Sequence, residues 1–385
     1  MDKREIYLDS HATTRADQDV LDTMLPYFNK YYRNGNHRAG WKSNAAMEKA
    51  RIQVSKLLGA RPTEVLFTSG ATEAINLALL GLANANRSNR KQVVTQRTEH
   101  PAVLNCIKHL KEKGLRVTML EVDGVGRIDL KELERTVTDE TLVVAIMLAN
   151  NEIGTIQPVE EIGHICRKSG AKFFCDLTQG LGWHPIAVDK MNIDLAAMSS
   201  HKIYGPRGVG ALYARRFPKV SLEPVVFGGG QERGIRPGTT NVPGIVGFGK
   251  ACEIMLENAE EHKAQISFLR DRLEDHIFKS IEGVRLNGCV HLRHPGNLNL
   301  SIPNVSGEDL IGALPNIIFS TGSACSAGSA KPSHVLGSLG LEEEALKNAF
   351  RFGVGKFNTA AEIDFVGERI VKVAQALQMK RLKCV

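Results

Sequence analysis

The chain has 385 residues, of which 43% are hydrophobic and 24% are charged, so we expect a large core divided between two domains rather than disorder. The net charge of +7 would suit an acidic partner or nucleic acid, but the basic residues are spread along the chain and a solvated surface explains them equally well. Seven cysteines without a Cys-x-x-Cys pair argue against a disulfide framework and a structural zinc site. Without a signal peptide pattern or an apolar run of membrane-spanning length, the sequence predicts a cytoplasmic protein with no membrane contact.

Hydrophobic spacing predicts alternating helices and strands through the first two thirds of the chain. An extended N-terminal segment over 7–15 and a helical pattern over 20–25 precede a polar loop at 31–40 and a helix over 43–58. The strands that follow are predicted near 65–67, 93–95, 117–120, 142–147, 173–175, 195–198 and 209–213, and the helices near 72–82, 101–113, 129–136 and 158–168. This alternation predicts an α/β fold with a mostly parallel seven-stranded sheet covered on both faces.

After Pro243 the pattern changes to one long helical region that reaches about Lys279. The rest mixes strands near 284–287, 298–302, 317–320 and 350–354 with helices such as 362–378, which is typical of a smaller α+β domain. We therefore predict a large domain over residues 15–258, and a small domain formed by residues 1–14 and 259–385.

A lysine stands at an unusual place after the predicted strand 195–198, where Ser199-Ser200-His201-Lys202 leads into a glycine-rich turn. A lysine held in a pocket can lose its proton and attack a carbonyl carbon, as a Schiff-base lysine does. Taken alone, a solvated lysine at a strand-to-turn corner is the more common explanation. The interpretation therefore depends on what the other strand ends carry.

Three other strand ends carry groups that fit one cofactor. Residues 68–74, Thr-Ser-Gly-Ala-Thr-Glu-Ala, follow a strand and open a helix whose free N–H groups favour a phosphate, although a simple helix cap also explains them. Asp176 ends a strand, where its carboxylate can hold a proton on the pyridinium nitrogen of pyridoxal phosphate, and Gln179 would reach the ring oxygen. His100 follows a third strand and can stack on a flat ring. Together with Lys202, this order of groups resembles the fold-type-I pyridoxal-phosphate enzymes.

The last third of the chain indicates which family of pyridoxal-phosphate enzymes the sequence resembles. Residues 319–330 are mostly serine, alanine and glycine and carry one cysteine, Cys325, on a stretch with little to bury. With this segment the chain resembles the cysteine desulfurases, in the class with a long mobile cysteine loop. The matching motifs lie at 7–14, 68–74, 98–100, 150–155, 176–179, 199–206, 228–233, 236–239, 322–325 and 351–352. The chain departs from the usual family pattern at Ser10, Arg15, Ser200 and Gly353, the last of which is usually serine.

The resemblance implies a pyridoxal 5'-phosphate enzyme that takes sulfur from L-cysteine, leaves L-alanine, and forms a persulfide on Cys325. It implies catalytic roles for Lys202, which holds the cofactor, and for His100. The other residues that the resemblance assigns to the cofactor are Ala71, Thr72, Asp176, Gln179, Ser199, His201 and, from the neighbouring subunit of a homodimer, Thr239. Asn151 and Arg351 would bind the substrate carboxylate, and no metal is implied.

The sulfur acceptor is left open by the sequence. The resemblance implies an acceptor protein, such as a scaffold for iron–sulfur cluster assembly, or a pathway that modifies nucleic acid by tRNA thiolation or DNA phosphorothioation. A selenocysteine lyase, or another pyridoxal-phosphate lyase or aminotransferase, is the closest alternative on the same scaffold. A more remote alternative is a non-catalytic nucleic-acid-binding protein, which the positive net charge of the chain would permit.

Overall fold

The structure is a computed structural model that describes residues 5–33, 40–321 and 333–382, so Cys325 and the segment around it lie outside the described residues. Within those ranges the strands are β1 Ile6–Tyr7, β2 Val65–Thr68, β3 Gln92–Gln96, β4 Arg116–Leu120, β5 Thr141–Ala145, β6 Lys172–Asp176, β7 Leu195–Ser199, β8 Gly210–Ala214, β9 Arg285–Leu286, β10 Asn297–Ser301, β11 Ile317–Ile318, β12 Ser320–Thr321 and β13 Ala349–Gly353. The α-helices there are α1 Gln18–Met24, α2 Pro26–Asn29, α3 Trp41–Leu58, α4 Ala71–Ala85, α5 Pro101–Glu112, α6 Leu130–Thr136, α7 Val159–Ser169, α8 Val242–Ser280, α9 Gly307–Ala313, α10 His334–Ser338, α11 Glu343–Lys347 and α12 Ala360–Leu382.

A central sheet, seven-stranded over the described residues, has the strand order β2-β8-β7-β6-β5-β3-β4. Neighbouring strands are parallel except for β8, which is antiparallel to both β2 and β7. The predicted α/β fold with a mostly parallel sheet is therefore confirmed, and the carboxyl ends of β3, β5, β6 and β7 meet at one edge.

Both faces of the central sheet are buried, as continuous apolar strands require. Phe173 and Phe174, adjacent in β6, point to opposite faces and join different apolar clusters. The cluster around Phe174 contains apolar residues of α4 and α5, and the cluster around Phe173 contains those of α3, α7 and α8. Alternate side chains of each strand thus bind helices to both faces of the sheet, which leaves its ends for polar groups.

A second, four-stranded sheet has the order β12-β13-β10-β9, and the short strand β1 pairs in parallel with β11. The prediction of a single strand over 317–320 was wrong, because the chain forms two short strands here, β11 and β12, which belong to different sheets. Between them Phe319 packs against Phe350 and Phe352, with ring centroids 6.2 and 5.0 Å apart, so the chain leaves one sheet and enters the other at this residue. The pairing of β1 places the N-terminal segment beside the C-terminal third.

The long predicted helix is confirmed as α8, which runs without interruption through residue 258. The division into domains at that residue stays a prediction. None of the helices in the described ranges combines the length and the apolar character needed to cross a membrane.

Candidate active site

A cavity of about 720 Å³ opens where the central sheet meets the N-terminal segment and β13. The structure brings together all of the predicted site residues except Thr239 and Cys325. Those lining the cavity are Ala71, Thr72, His100, Asn151, Asp176, Gln179, Ser199, His201, Lys202 and Arg351.

Strand ends position most of these groups. Asp176 is the last residue of β6 and Ser199 the last of β7, and the register pairs Asp176 with Ala197, two residues before Ser199. A single 3-10 turn, Ser200–Lys202, then carries Lys202 into the cavity. The parallel pairing therefore brings a carboxylate and an amine to the same edge of the sheet and into one cavity, as expected at the carboxyl ends of such strands.

The wall formed by the start of α4 suits an anion. This helix begins at Ala71 directly after β2, and the N–H groups of its first turn have no partner within the helix. Gly210 lets the chain approach closely here, since a Cβ on it would lie 2.8 Å from Gly70 Cα and 2.3 Å from the carbonyl oxygen of Met198. Because neither backbone atom can turn away as a flexible side chain does, glycine is required at 210.

Lys202 is held by the N-terminal segment. Its Nζ donates hydrogen bonds to the carbonyl oxygens of His11 and Ala12, the second at 2.8 Å. The adjacent His201 places Nδ1 3.0 Å from Thr13 Oγ1. Burial lowers the pKa of His201 to about 4, with the charges of Lys202 and Arg207 adding to the effect, so its imidazole is neutral at neutral pH.

His11 is a site residue that the sequence reasoning missed. Gln179 Nε2 donates to the carbonyl oxygen of His11 at 3.0 Å, and His11 Nδ1 lies 3.1 Å from Gln179 Oε1. With the amide nitrogen of Gln179 acting as donor, its Oε1 must accept, so the network assigns the proton of His11 to Nδ1. Burial lowers the pKa of His11 well below its usual range, so the ring is neutral. The motif 7–14 was part of the recognised pattern, but contacts across the fold cannot be inferred from it.

A second acidic residue, Glu99, lies buried beside Asp176 and was also missed. Glu99 Oε1 accepts hydrogen bonds from Gln96 Nε2 at 2.7 Å and from the backbone N–H of Met147 at 2.6 Å. Burial, with a smaller contribution from the nearby Asp176 charge, outweighs the opposing hydrogen bonds from Gln96 and Met147 and raises the pKa of Glu99 to about 8. Glu99 is therefore protonated at neutral pH. The neighbouring Asp176 accepts a hydrogen bond at Oδ1 from the Thr178 N–H at 2.9 Å.

His100 caps the helix α5. Its Nδ1 accepts a hydrogen bond from the backbone N–H of Ala102 at 3.1 Å. Burial lowers the pKa of His100, partly offset by the charge of Asp176. Since Nδ1 accepts, the proton of the neutral ring belongs on Nε2, and the cap determines the tautomer.

Arg351 lies on β13 in a closed network with Asp9 and Ser320. Arg351 Nη2 donates to Asp9 Oδ1 at 2.7 Å and to Ser320 Oγ at 3.0 Å, while Ser320 Oγ donates to Asp9 Oδ2 at 2.8 Å. Arg351 Nη1 also donates to the carbonyl oxygen of Asn151 at 3.0 Å, which connects the two residues predicted to bind a carboxylate. Asp9 and Ser320 both line the cavity, and neither was singled out from the sequence.

Close packing explains why residue 353 is a glycine, where the family pattern usually has serine. A Cβ at this position would lie 2.8 Å from the backbone nitrogens of both Ser10 and His11. The N-terminal segment is bonded to Gly353 on both sides, since Gly353 N donates to Leu8 O at 2.7 Å and Ser10 N donates to Gly353 O at 3.0 Å. Glycine thus permits the close contact that brings Asp9 and His11 to the cavity.

Thr239 does not line the main cavity. It is exposed on a loop beside a smaller cavity of about 170 Å³, whose lining shares Ser69 and Gly208 with the main one. Cys325 lies outside the described residues. Within the described ranges, no cluster of three or more His, Cys, Asp or Glu side chains is arranged to hold a metal ion.

Residues 6–366 match the family described as Aminotransferase class-V. The chain belongs to this family. Its relatives include the cysteine desulfurase IscS of Rickettsia africae (strain ESF-5), 46% identical over 363 residues that cover 94% of this chain and 88% of the relative. The mitochondrial cysteine desulfurase of Drosophila melanogaster is 46% identical over 378 residues, which cover 97% of this chain and 82% of the relative. Within the class-V aminotransferases the chain is thus a member of the cysteine desulfurase family, as its motifs indicated.

Solved structures agree with this class-V assignment. A NifS-like protein has a TM-score of 0.90 at 37% identity, with 96% of this chain and 99% of the other covered. SspA in complex with cysteine has a TM-score of 0.81 at 33% identity, with 92% of this chain and 100% of the other covered. The predicted fold-type-I architecture is confirmed by these similarities and by the observed sheet.

Proposed function

We propose that the protein is a cysteine desulfurase that uses pyridoxal 5'-phosphate to take sulfur from L-cysteine, releases L-alanine, and passes the sulfur through Cys325 to an acceptor. The observation that carries this proposal is the meeting of Lys202, Asp176, His100 and Arg351 in one cavity. These residues come from distant parts of the chain, and each suits a different part of the cofactor or of an amino-acid substrate.

The cavity fits pyridoxal phosphate in its donors and acceptors. The start of α4, with Thr72, Ser199 and His201, supplies groups for a phosphate, and Thr178 Oγ1 and His11 Nε2 are buried polar atoms without a hydrogen-bond partner among the described residues. Lys202 supplies an amine for the aldehyde, and Asp176 a carboxylate for the ring nitrogen. Gln179 is oriented by His11 so that its amide nitrogen is the donor, which suits the ring oxygen as an acceptor.

When bound, the cofactor would supply an electron sink for cleavage beside the substrate amine. Lys202 would hold the cofactor and then move protons once the substrate amine has replaced it. Asp176 would keep a proton on the ring nitrogen. His100 presents Nε2 as the protonated ring atom, so it would donate a hydrogen bond to a group bound in the cavity. The guanidinium of Arg351, with Asn151, would bind the substrate carboxylate.

Cys325 would accept the sulfur. Its thiolate attacks the sulfur of bound cysteine, the Cβ–S bond breaks, and the electron pair left on the three-carbon fragment takes a proton to give alanine. The persulfide on Cys325 then passes its outer sulfur to a second thiol. Four buried cysteines are poor candidates for this step, since burial raises the pKa of each thiol: Cys106, Cys166, Cys175 and Cys252.

A homodimer would complete the site. Thr239 is exposed outside the cavity of its own chain, on a surface that also exposes 86% of Phe227 and 55% of Val226. A second copy packed by a two-fold axis would cover these apolar side chains and bring Thr239 to the phosphate of its partner. The cytoplasmic location and the acceptor, whether a protein scaffold or a nucleic-acid-modifying pathway, stay predictions from the sequence.

The test is product analysis with the holoenzyme. Incubation with L-cysteine and a thiol reductant should release sulfide and alanine in equal amounts, without a need for a keto acid. Alanine formation that depends on a keto acid, with no sulfide, would identify an aminotransferase instead. A strong preference for selenocysteine over cysteine would identify the lyase alternative.

A further inference from the structure

Asp9 holds the arginine that the proposed function assigns to the substrate carboxylate. Both hydrogens of Arg351 Nη2 are engaged, one by Asp9 Oδ1 at 2.7 Å and the other by Ser320 Oγ at 3.0 Å. The Ser320 hydroxyl in turn donates to Asp9 Oδ2 at 2.8 Å, so the carboxylate contacts both members of the network. Side chains of Arg351 and Asp9 are only 5% and 13% exposed, so this is a largely buried ion pair.

The backbone fixes this arrangement. Asp9 forms a parallel bridge with Gly353, two residues after Arg351 on the same strand, while Ser320 pairs directly with Arg351 across β12 and β13. The Tyr7 hydroxyl donates to the carbonyl oxygen of Asp9 at 3.0 Å. These contacts hold the backbone of Asp9 beside that of Arg351, so the Asp9 carboxylate lies within reach of the guanidinium.

A carboxylate that enters the cavity toward Arg351 meets a guanidinium whose charge is already neutralised. To use Nη2 it must displace Asp9 or share the donor with it, and sharing places two carboxylates around one guanidinium. Like charges at such short range oppose each other strongly where water is excluded. Without Asp9, however, the ligand-free site would bury the Arg351 charge without its carboxylate partner.

We propose that Asp9 is a positioning residue that acts as an internal counter-ion of Arg351, orients its guanidinium, and weakens the binding of amino-acid carboxylates by competing for Nη2. This inference rests on the proposed function. Weaker carboxylate binding serves turnover, because L-alanine carries the same carboxylate as L-cysteine and must leave after each cycle. Asp9 would thus set both KM and the rate of product release.

Equilibrium binding to the holoenzyme tests the inference with two probes, L-alanine and L-alaninamide, which differ only in the carboxylate. Calorimetric titration of wild type and Asp9→Asn should show L-alanine binding about tenfold tighter in the variant, the equivalent of about 1.4 kcal/mol. Binding of L-alaninamide should change by less than about twofold, since it carries no charge to compete with Asp9. In steady-state assays with L-cysteine, the variant should lower KM and kcat together as alanine release slows.

Asp17→Asn is the matched control. Asp17 forms a similarly buried ion pair with Lys356, with side chains 18% and 7% exposed, and it does not line the cavity. Its neutralisation should leave the ratio of L-alanine to L-alaninamide affinity at the wild-type value. If Asp9→Asn fails to fold, Asp9→Ser carries the same expectation.

The wild-type protein alone also tests the idea, because competition by Asp9 should keep its preference for L-alanine over L-alaninamide below about tenfold. An affinity ratio that is unchanged in the Asp9 variants, or a wild-type preference well above that limit, would overturn the inference. Failure of the proposed function is distinct from this result, since wild-type holoenzyme would then form no sulfide from L-cysteine.

Discussion

The side chain of Lys202 donates a hydrogen bond to the carbonyl oxygen of His11, which lies 191 residues earlier in the chain. The same carbonyl oxygen accepts from Gln179 Nε2 at 3.0 Å. One backbone group of the N-terminal segment thus holds two side chains that come from different strand ends. This contact keeps the amine in the cavity before any cofactor is attached.

Replacement of Lys202 tests its assignment to the cofactor. Lys202→Ala should remove covalent attachment, because among the described residues it is the lysine that lines the cavity. After borohydride reduction, mass spectrometry should find the cofactor on the wild-type peptide and on that of a Lys356→Ala control, but not on the Lys202 variant. Retained covalent cofactor in Lys202→Ala would refute the assignment.

Asp176 and Glu99 should respond differently to neutral isosteres. Asp176→Asn removes the carboxylate proposed to hold the ring proton and should lower sulfide production by about 100-fold or more. Glu99→Gln should stay within a few-fold of wild type, because burial already holds Glu99 protonated at neutral pH. Equal losses in both variants would contradict the separate roles proposed for Asp176 and Glu99.

Glu99 should also make stability depend on pH. Its pKa is raised from 4.5 to about 8 in the folded protein, so the folded state keeps a proton that the unfolded state loses between these values. The stabilising contribution is complete below pH 4.5 and falls as pH rises toward 8, by up to about 1.4 kcal/mol per pH unit.

Urea unfolding of the cofactor-free protein between pH 5.5 and 7.5 measures this effect. The stability of wild type relative to Glu99→Gln should decrease with rising pH. Glu140→Gln, at an exposed carboxylate, serves as the control and should not produce the trend. A difference between wild type and Glu99→Gln that stays constant with pH would contradict the raised pKa.

Cys325→Ser should keep the cofactor and still bind L-cysteine, but release essentially no sulfide, since a hydroxyl cannot carry a persulfide. Cys289→Ser is the control, because Cys289 is a partly exposed cysteine of the described chain and does not line the cavity. It should leave the first persulfide intact in a trapping assay. Normal sulfide production by Cys325→Ser would refute the proposed role.

Thr239→Ala should weaken cofactor binding without loss of the proposed dimer, since one hydroxyl would add little to an interface but would donate to the phosphate of the partner. Light scattering measures the oligomeric state, and fluorescence titration measures cofactor affinity. A fully active wild-type monomer would show that Thr239 has no role across subunits.

Individual site residues show which parts of the site could be predicted from the sequence and which could not. Asp176 and Lys202 were predicted because apolar strands that alternate with helices imply a parallel sheet, whose carboxyl edge collects polar groups. Arg351 came only from the family resemblance, since nothing in its own strand distinguishes a ligand-binding arginine from a structural one. His11, Asp9 and Glu99 were missed because their importance depends on contacts made across the fold.

The sequence by itself determined the class of fold, the cysteine desulfurase family and the chemical types of the site residues, because hydrophobic period and motif order are local properties of a chain. Tertiary structure alone decided how those residues are coupled: the Lys202 amine on the His11 carbonyl, the Arg351 guanidinium on Asp9, and the protonated Glu99 beside Asp176. Each of these depends on distance and on exclusion of water, which arise only when segments far apart in the chain pack together.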